Sequence, residues 1–264
     1  YDWHRIHNLD LLAGSYEFKG QVKQAEELLR EFFSLPANDG LFASYQGDWP
    51  RFLLSRGRYT EALSAAGQMT EGKFPLQRAM GHLLTGRALV ALNRADEAQQ
   101  ELAKAEKEME NVPESDPEPL MPQPRRLLDG QRNILRGEIA LRKGEATEAN
   151  SQLNAVMNRF VAASRSGDAV NYLFNMLYIA QQARAAGDWD LADTAAKQML
   201  VFDPSYAGGH YVAAAVAEHK GDSVTARKEL TAAERLWGQA DPELSEIVDV
   251  HKKLAGMRKA AGRR

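Results

Sequence analysis

GDWDLADTAAKQMLVFDPSYAGGHYVAAAVAEHKG, residues 187–221, holds one complete amphipathic helix, a proline-marked turn and a second complete helix. Gly187 ends the apolar-periodic segment before it. Asp188 is placed to cap the next helix, along which Ala192, Ala196 and Met199 recur at helical spacing toward Asp203-Pro204. Tyr206 to His219 reads as the partner helix, and Gly221 stops it. The two glycines stand 34 residues apart, and an alanine follows each five residues later, Ala192 and Ala226. The remainder of the chain reads as variants of this unit.

With 264 residues the chain is longer than one hydrophobic core usually supports, so it is either two globular domains or an array that grows by adding units. Hydrophobic content of 44%, charged content of 26% and a net charge of −3 are ordinary for a soluble protein and give no bulk attraction to nucleic acid or anionic membrane. The absence of cysteine excludes disulfides, thiolate metal sites and a cysteine nucleophile, and fits a cytoplasmic or a periplasmic setting equally. The longest wholly apolar run, Tyr211 to Ala217, is far short of the roughly 18 residues a membrane span needs. The chain opens on Tyr1 and enters helical periodicity almost at once, which suggests a piece of a longer polypeptide.

Six helix pairs can be placed along the chain, with residues 187–221 spanning the junction of the last two. Residues 6–36 form the first, with Leu9, Leu12, Ala13 and Tyr16 on one stripe, Gly20 as the stop, and Ala25, Leu28, Leu29 and Phe32 on the second. Residues 37–72 form another, with Gly57 as the stop. Pro50 falls inside its first helix, so the reading is a kinked or split helix with Asp48 as N-cap and Pro50 near N1. In residues 75–110 the stop is Asn93, the residue next most tolerant of left-handed geometry after glycine. Residues 111–124 then gather Pro113, Pro117, Pro119, Pro122 and Pro124 beside Glu114, Asp116 and Glu118, which reads as a proline-rich acidic linker or loop. Pairs at 125–162, 169–203 and 206–237 follow, stopped by Gly144, Gly187 and Gly221. The organisation expected is 1–110, linker 111–124, 125–238, and a capping helix with a basic tail over 239–264.

The aligned stops Gly20, Gly57, Asn93, Gly144, Gly187 and Gly221, each followed after five residues by Ala25, Ala62, Ala98, Ala149, Ala192 or Ala226, resemble the tetratricopeptide (TPR) repeat. Seven positions before the stop the chain has Ala13, Gly86, Gly137, Ala180 and Ala214, with Pro50 the exception, where that family places a small residue at a close helix crossing. Stop-to-stop intervals of 37, 36, 51, 43 and 34 residues depart from the family's period mainly at the proline-rich insertion. The resemblance implies an all-α fold: a right-handed solenoid, or α-α superhelix, of six antiparallel helix pairs plus a C-terminal capping helix, about thirteen helices in all.

It also implies a non-enzymatic scaffold that holds a peptide or partner protein in a concave groove lined by first helices. Groove positions carried over from the family are His7, Asp10, Gly14 and Glu17; Ser44, Gly47 and Arg51; Met80, Leu83 and Arg87; Gln131, Ile134 and Glu138. In the last two units they are Phe174, Leu177, Gln181 and Arg184, then Tyr211 and Glu218, and this set is the candidate partner-binding patch because buried aromatics often anchor interfaces. The competing use of the same residues is ordinary inter-helix core. Asp10 and Gly14 do not match the subset of TPR domains that clamps a carboxylate with lysine, asparagine and arginine.

Other chemistry is sparse in the sequence. His4 and His7 share a helix face without a further ligand in reach, and His82, His210, His219 and His251 are scattered. There is no phosphate-cradling glycine loop, so neither metal, cofactor nor catalysis is expected. Arg125, Arg132, Arg136 and Lys143 fall on one line of a helix, a stripe for an anionic partner or an ordinary solvated face. No aromatics interleave with it, so nucleic acid is not expected. Two further readings of the whole chain are a sensory or regulatory segment of a larger signalling enzyme, and a structural spacer or oligomerisation arm.

Overall fold

A computed structural model describes residues 3–37, 39–113, 124–162 and 169–261. Every element among the described residues is helical. In chain order they are α1 (Trp3–Phe18), α2 (Val22–Ser34), α3 (Gly40–Tyr45), α4 (Asp48–Ser55), α5 (Tyr59–Thr70), α6 (Pro75–Ala91) and α7 (Ala95–Met109). The second half adds α8 (Pro124–Lys143), α9 (Ala146–Ala162), α10 (Ala169–Ala185), α11 (Trp189–Phe202), α12 (Ala207–His219), α13 (Ser223–Leu236) and α14 (Ser245–Ala261). The proline-rich segment lies almost wholly outside the described residues.

The fixed five-residue offset between stop and alanine has a backbone cause. All six stops adopt positive φ, from 62° at Asn93 to 81° at Gly187. Each closes its helix with the same bond pair, in which the stop and the residue after it donate back to the last turn: Gly57 N to Leu54 O at 3.1 Å and Arg58 N to Leu53 O at 2.9 Å, for example. The residue after the stop also begins the next helix, because its carbonyl accepts the first helical bond, as in Ala62 N to Arg58 O and Ala192 N to Asp188 O. One turn therefore ends a helix and starts another with no spare residue. The alanine is the first residue of the new helix to donate inward, and all six are fully buried. Asp188 caps α11 as expected, accepting from Leu191 N at 3.0 Å, and Asp222 does the same for α13 through Thr225 N.

Small residues at the crossings have equally direct reasons. A Cβ on Gly86 would stand 2.6 Å from Leu135 Cδ2, and one on Gly137 would stand 2.4 Å from Leu153 Cγ. These contacts bring α6 against α8 and α8 against α9 at backbone-to-side-chain distance. Pro50 splits the first helix of the second pair into α3 and α4, which makes fourteen helices among the described residues. Gly47 is the N-cap of α4, so Asp48 is its first helical residue and Pro50 its third, one place deeper than an N-cap at Asp48 would put it. Proline is tolerated there because the first turn's N–H groups have no partner within the helix. Buried Gln46 in the break donates to the carbonyls of Phe33 and Leu35, closing the end of α2.

The chain separates into two compact units, one of residues 1–10 with 26–156 and the other of residues 11–25 with 157–264. α1 and α2 contribute residues to both. In the first unit, α6 makes its main packing with α5, α7 and α8. Its interior holds an ion pair: Arg87 Nη2 lies 3.0 Å from Glu138 Oε1, with both side chains almost wholly excluded from solvent. In the second unit, α10 to α14 pack in sequence order around an apolar core that includes Met176, Ile179, Met199, Val212, Leu230 and Val250.

Candidate functional site

The candidate patch lies in the second unit. On α10, Phe174, Leu177, Gln181 and Arg184 follow one another at three- and four-residue steps, the spacing that keeps side chains on one helix face. Phe174 and Leu177 are buried, 4% and 7% exposed, and so sit beneath the surface. Gln181 and Arg184 are half-buried. On α12, Tyr211 is 9% exposed and Glu218 is half-buried.

α14 meets this face at three places. Gln181 Nε2 donates to Glu246 Oε1 at 3.2 Å, Tyr211 Oη donates to Asp249 Oδ2 at 3.0 Å, and Lys253 Nζ donates to Glu218. Lys253 also reaches Asp249 at 3.2 Å. The structure thus brings Gln181, Arg184, Tyr211 and Glu218 together. It adds Glu246, Asp249 and Lys253, which reasoning from the sequence missed although their 0, 3, 7 spacing marks one face of the last helix. Burial, reinforced by the adjacent Asp249 carboxylate, pushes the Tyr211 phenol up to about 12 against the pull of Arg184, so it stays a hydrogen-bond donor at neutral pH.

Arg184 differs from its neighbours. Its guanidinium carbon lies 5.4 Å from the Tyr211 ring centre and 6.0 Å from that of Trp189, within cation–π range of both. Its Nε is buried and has no hydrogen-bond partner. Trp189 in turn stacks on His219 with ring centres 4.1 Å apart and planes 6° from parallel. The arrangement is a half-buried cation over aromatic walls with its buried Nε unsatisfied, suited chemically to an anionic group.

The cationic stripe all lies on α8, but three of its members are engaged within the first unit. Arg125 Nη1 donates to the carbonyls of Met109 and Val112 at 2.6 and 3.2 Å, closing the C-terminus of α7. Arg132 pairs with Asp129 at 3.0 Å, and Arg136 pairs with Glu106 on α7. Lys143 is exposed at the end of α8.

Other groove positions in the first unit serve the interior. Met80, Leu83 and Ile134 are buried, and Arg87 joins Glu138 to Gln131, whose Oε1 accepts from Nη1 at 3.1 Å. Arg51 donates to Asp48 at 3.1 Å. His82 and His210 occupy the same place in their repeats, and each brings Nδ1 to 2.6 Å from a glutamate on the next helix, Glu101 and Glu229. The side chain of His4 is outside the described set. Among the described residues no group of three His, Cys, Asp or Glu is arranged to hold a metal ion, and no helix is long and apolar enough to cross a membrane.

No protein-family model and no curated protein matches the chain. Among solved structures it is similar to the complex of the TPR2AB domain of yeast Sti1 with pHSP90, at a TM-score of 0.37 and 12% identity, covering 96% of this chain and 98% of that chain. A likeness that low carries no inference about what this chain binds.

Proposed function

We propose that this protein is a non-enzymatic TPR-type scaffold that recognises a partner protein through the face of α10 and α12 walled by α14. The observation that carries the reading is Arg184, a cation held over Tyr211 and Trp189 with a buried Nε left without an acceptor. Arg184 is only half-buried, and a carboxylate from a bound segment would add a charge-assisted hydrogen bond to its guanidinium. Gln181, Tyr211 and Glu218 then supply the polar rim, while Phe174 and Leu177 beneath them are the apolar anchors the face would offer. The partner is a peptide segment bearing an acidic side chain. Recognition works through shape and a few anchors, with no bond made or broken.

The test is selection of peptides from a random library displayed against the intact chain, followed by calorimetry on parent and Arg184→Glu. Acidic peptides that lose affinity at least about tenfold in the variant support the reading, since one charge-assisted bond is worth roughly that much. Selected peptides that bind both equally refute the site. Failure to select any sequence favours the spacer or oligomerisation arm.

A further inference from the structure

The six repeat turns share one backbone geometry, but among the five glycine turns one is used differently from the others. Around Gly57, Gly144, Gly187 and Gly221 an added Cβ would meet nothing within 4 Å, as expected for a turn at a surface. At Gly20 the same Cβ would stand 2.7 Å from Ala240 Cβ, 2.9 Å from Leu244 Cδ2 and 3.1 Å from Trp237 Cδ1. The tip joining α1 to α2 is therefore packed on the turn between α13 and α14, within the second unit.

Polar contacts hold it there. Asp241 N donates to Gly20 O at 3.0 Å, and the Asp241 carboxylate accepts from Lys23 N at 2.8 Å. Asp241 thus supplies the N-terminal cap of α2 from 218 residues away. Lys23 Nζ also reaches Glu243 at 2.9 Å.

Aromatic contacts connect the tip to the proposed binding face. Phe18 lies 5.2 Å from Tyr206, and Tyr206 lies 6.3 Å from Phe174. Trp237, against which Gly20 packs, lies 5.9 Å from Tyr211. Phe174 and Tyr211 are each one ring removed from the docked tip, and both are buried while it is in place.

We infer that the turn over Trp237–Leu244, with Tyr206, is a docking surface whose occupant is this chain's own α1–α2 tip, residues 11–25, and that the docked tip, through Tyr206 and Trp237, keeps Phe174 and Tyr211 covered. The tip is an intramolecular latch. Partner binding at the face competes with it, because the anchors become accessible when Phe18 and Gly20 leave Tyr206 and Trp237. The latch rests on the reading that this face takes a partner, and its test is chosen to work without one.

The absence of cysteine allows one thiol to be placed at will. Leu177→Cys puts a reporter one turn from Phe174 on the same buried face of α10, and its rate of reaction with a small aromatic disulfide reports whether that face opens. Two changes release the latch differently. Asp241→Ala removes the cap on α2. Gly20→Asn keeps the left-handed turn, as Asn93 does in its own repeat, but places a Cβ against Ala240. Amide hydrogen exchange at Lys23 reads the latch itself, and Leu153→Cys, fully buried in the first unit, controls for general unfolding.

Both changes should speed exchange at Lys23 and labelling at position 177 by about tenfold or more, as expected on losing a charge-assisted hydrogen bond, and leave position 153 slow. Faster Lys23 exchange with unchanged labelling at 177 overturns the gate. An unchanged Lys23 amide in both variants overturns the latch. Equal acceleration at 153 makes the opening global and also overturns it. Failure of peptide binding in the Arg184 experiment leaves these readouts untouched, so the two readings can fall separately.

Discussion

Removing one member of the buried pair between Arg87 and Glu138 should destabilise the first unit far more than removing both. The guanidinium places Nε 3.1 and 3.3 Å from the two carboxylate oxygens and Nη2 3.0 Å from one of them. Both side chains are within 2% of complete burial. Arg87→Met strands a carboxylate in the interior, which costs about 3–5 kcal/mol, whereas Arg87→Met combined with Glu138→Leu is expected within about 1 kcal/mol of the parent or above it. With a urea slope of about 2–3 kcal/mol/M, the single change lowers the midpoint by about 1–2 M. Burial already pushes the Glu138 carboxyl up against the pull of Arg87, and deleting Arg87 leaves burial unopposed. A carboxyl raised in the folded state gives stability that is intact below the unfolded value near 4.3 and lost as pH rises toward the folded one. The Arg87→Met penalty should therefore be small at pH 4 and grow toward pH 7. Urea titrations followed by circular dichroism, with exchange of α6 and α8 amides to localise the loss, measure it. A penalty that is flat with pH, or singles as mild as the double, refutes the account.

Three further outcomes follow from local geometry. Gly137→Ala should lower stability by about 1–3 kcal/mol, because fully buried Leu153 cannot retreat from a Cβ at 2.4 Å, while Gly130→Ala on the same helix, with nothing within 4 Å, should raise it by about 1 kcal/mol; thermal shifts of the same sign would refute the contrast. Gly57→Ala, at φ 72°, should cost about 1–2 kcal/mol and Asn93→Gly, at φ 62°, close to nothing, a contrast that differential scanning calorimetry resolves. Burial would raise Glu101, but hydrogen bonds from His82 and Lys104 outweigh it and hold the carboxyl below its usual range. The stability Glu101 contributes is present above about pH 4.3 and lost as pH falls through its depressed value, so Glu101→Gln should converge with the parent in acid; curves that stay parallel down to pH 2 would show that the contact contributes nothing.

The repeat was legible because its signals are local. A stop residue with left-handed φ and an alanine five places on are consequences of one turn, and the turn is encoded within about ten residues. That is why Asn93 was readable as a stop without being glycine, and why Pro50 announced a split helix, though not where in its first turn the proline would sit. The site was only partly legible. Residue type identified Arg184 and Tyr211 and left Phe174 and Leu177 between a binding patch and inter-helix core, and their burial matches the core reading, since burial depends on what covers a face. α14 and its Glu246, Asp249 and Lys253 stripe were visible as a terminal helix, but their contacts with Gln181, Tyr211 and Glu218 span 65, 38 and 35 residues. The stripe on α8 shows the same limit from the other side. Its alignment was readable from helical period alone, whereas the engagement of Arg125 with the end of α7 and of Arg136 with Glu106 depends on the neighbouring helix.

Gly20 shows how a local code can carry a non-local meaning. Its φ of 76° is shared with Gly144 and Gly221, so backbone geometry alone would let the three positions tolerate the same substitutions. Packing separates them, because Gly20 touches Ala240, Leu244 and Trp237 while the other two face open space. Residue 20 is thus constrained twice, by the turn, which asparagine also accepts, and by the contact, which leaves no room for a Cβ. Asp241 has a similar double position: it lies in the connection before α14 and satisfies the amide of Lys23 on a helix at the opposite end of the sequence. A helix N-terminus needs an acceptor from somewhere, and the other repeats with a side-chain cap take it from the residue after the stop, Asp188 or Asp222. In the first repeat that residue is Gln21, and the acceptor comes instead from the far end of the chain. Part of the stability of α2 is therefore tied to docking of the tip, which makes the first helix pair the one whose local order reports the state of the binding face.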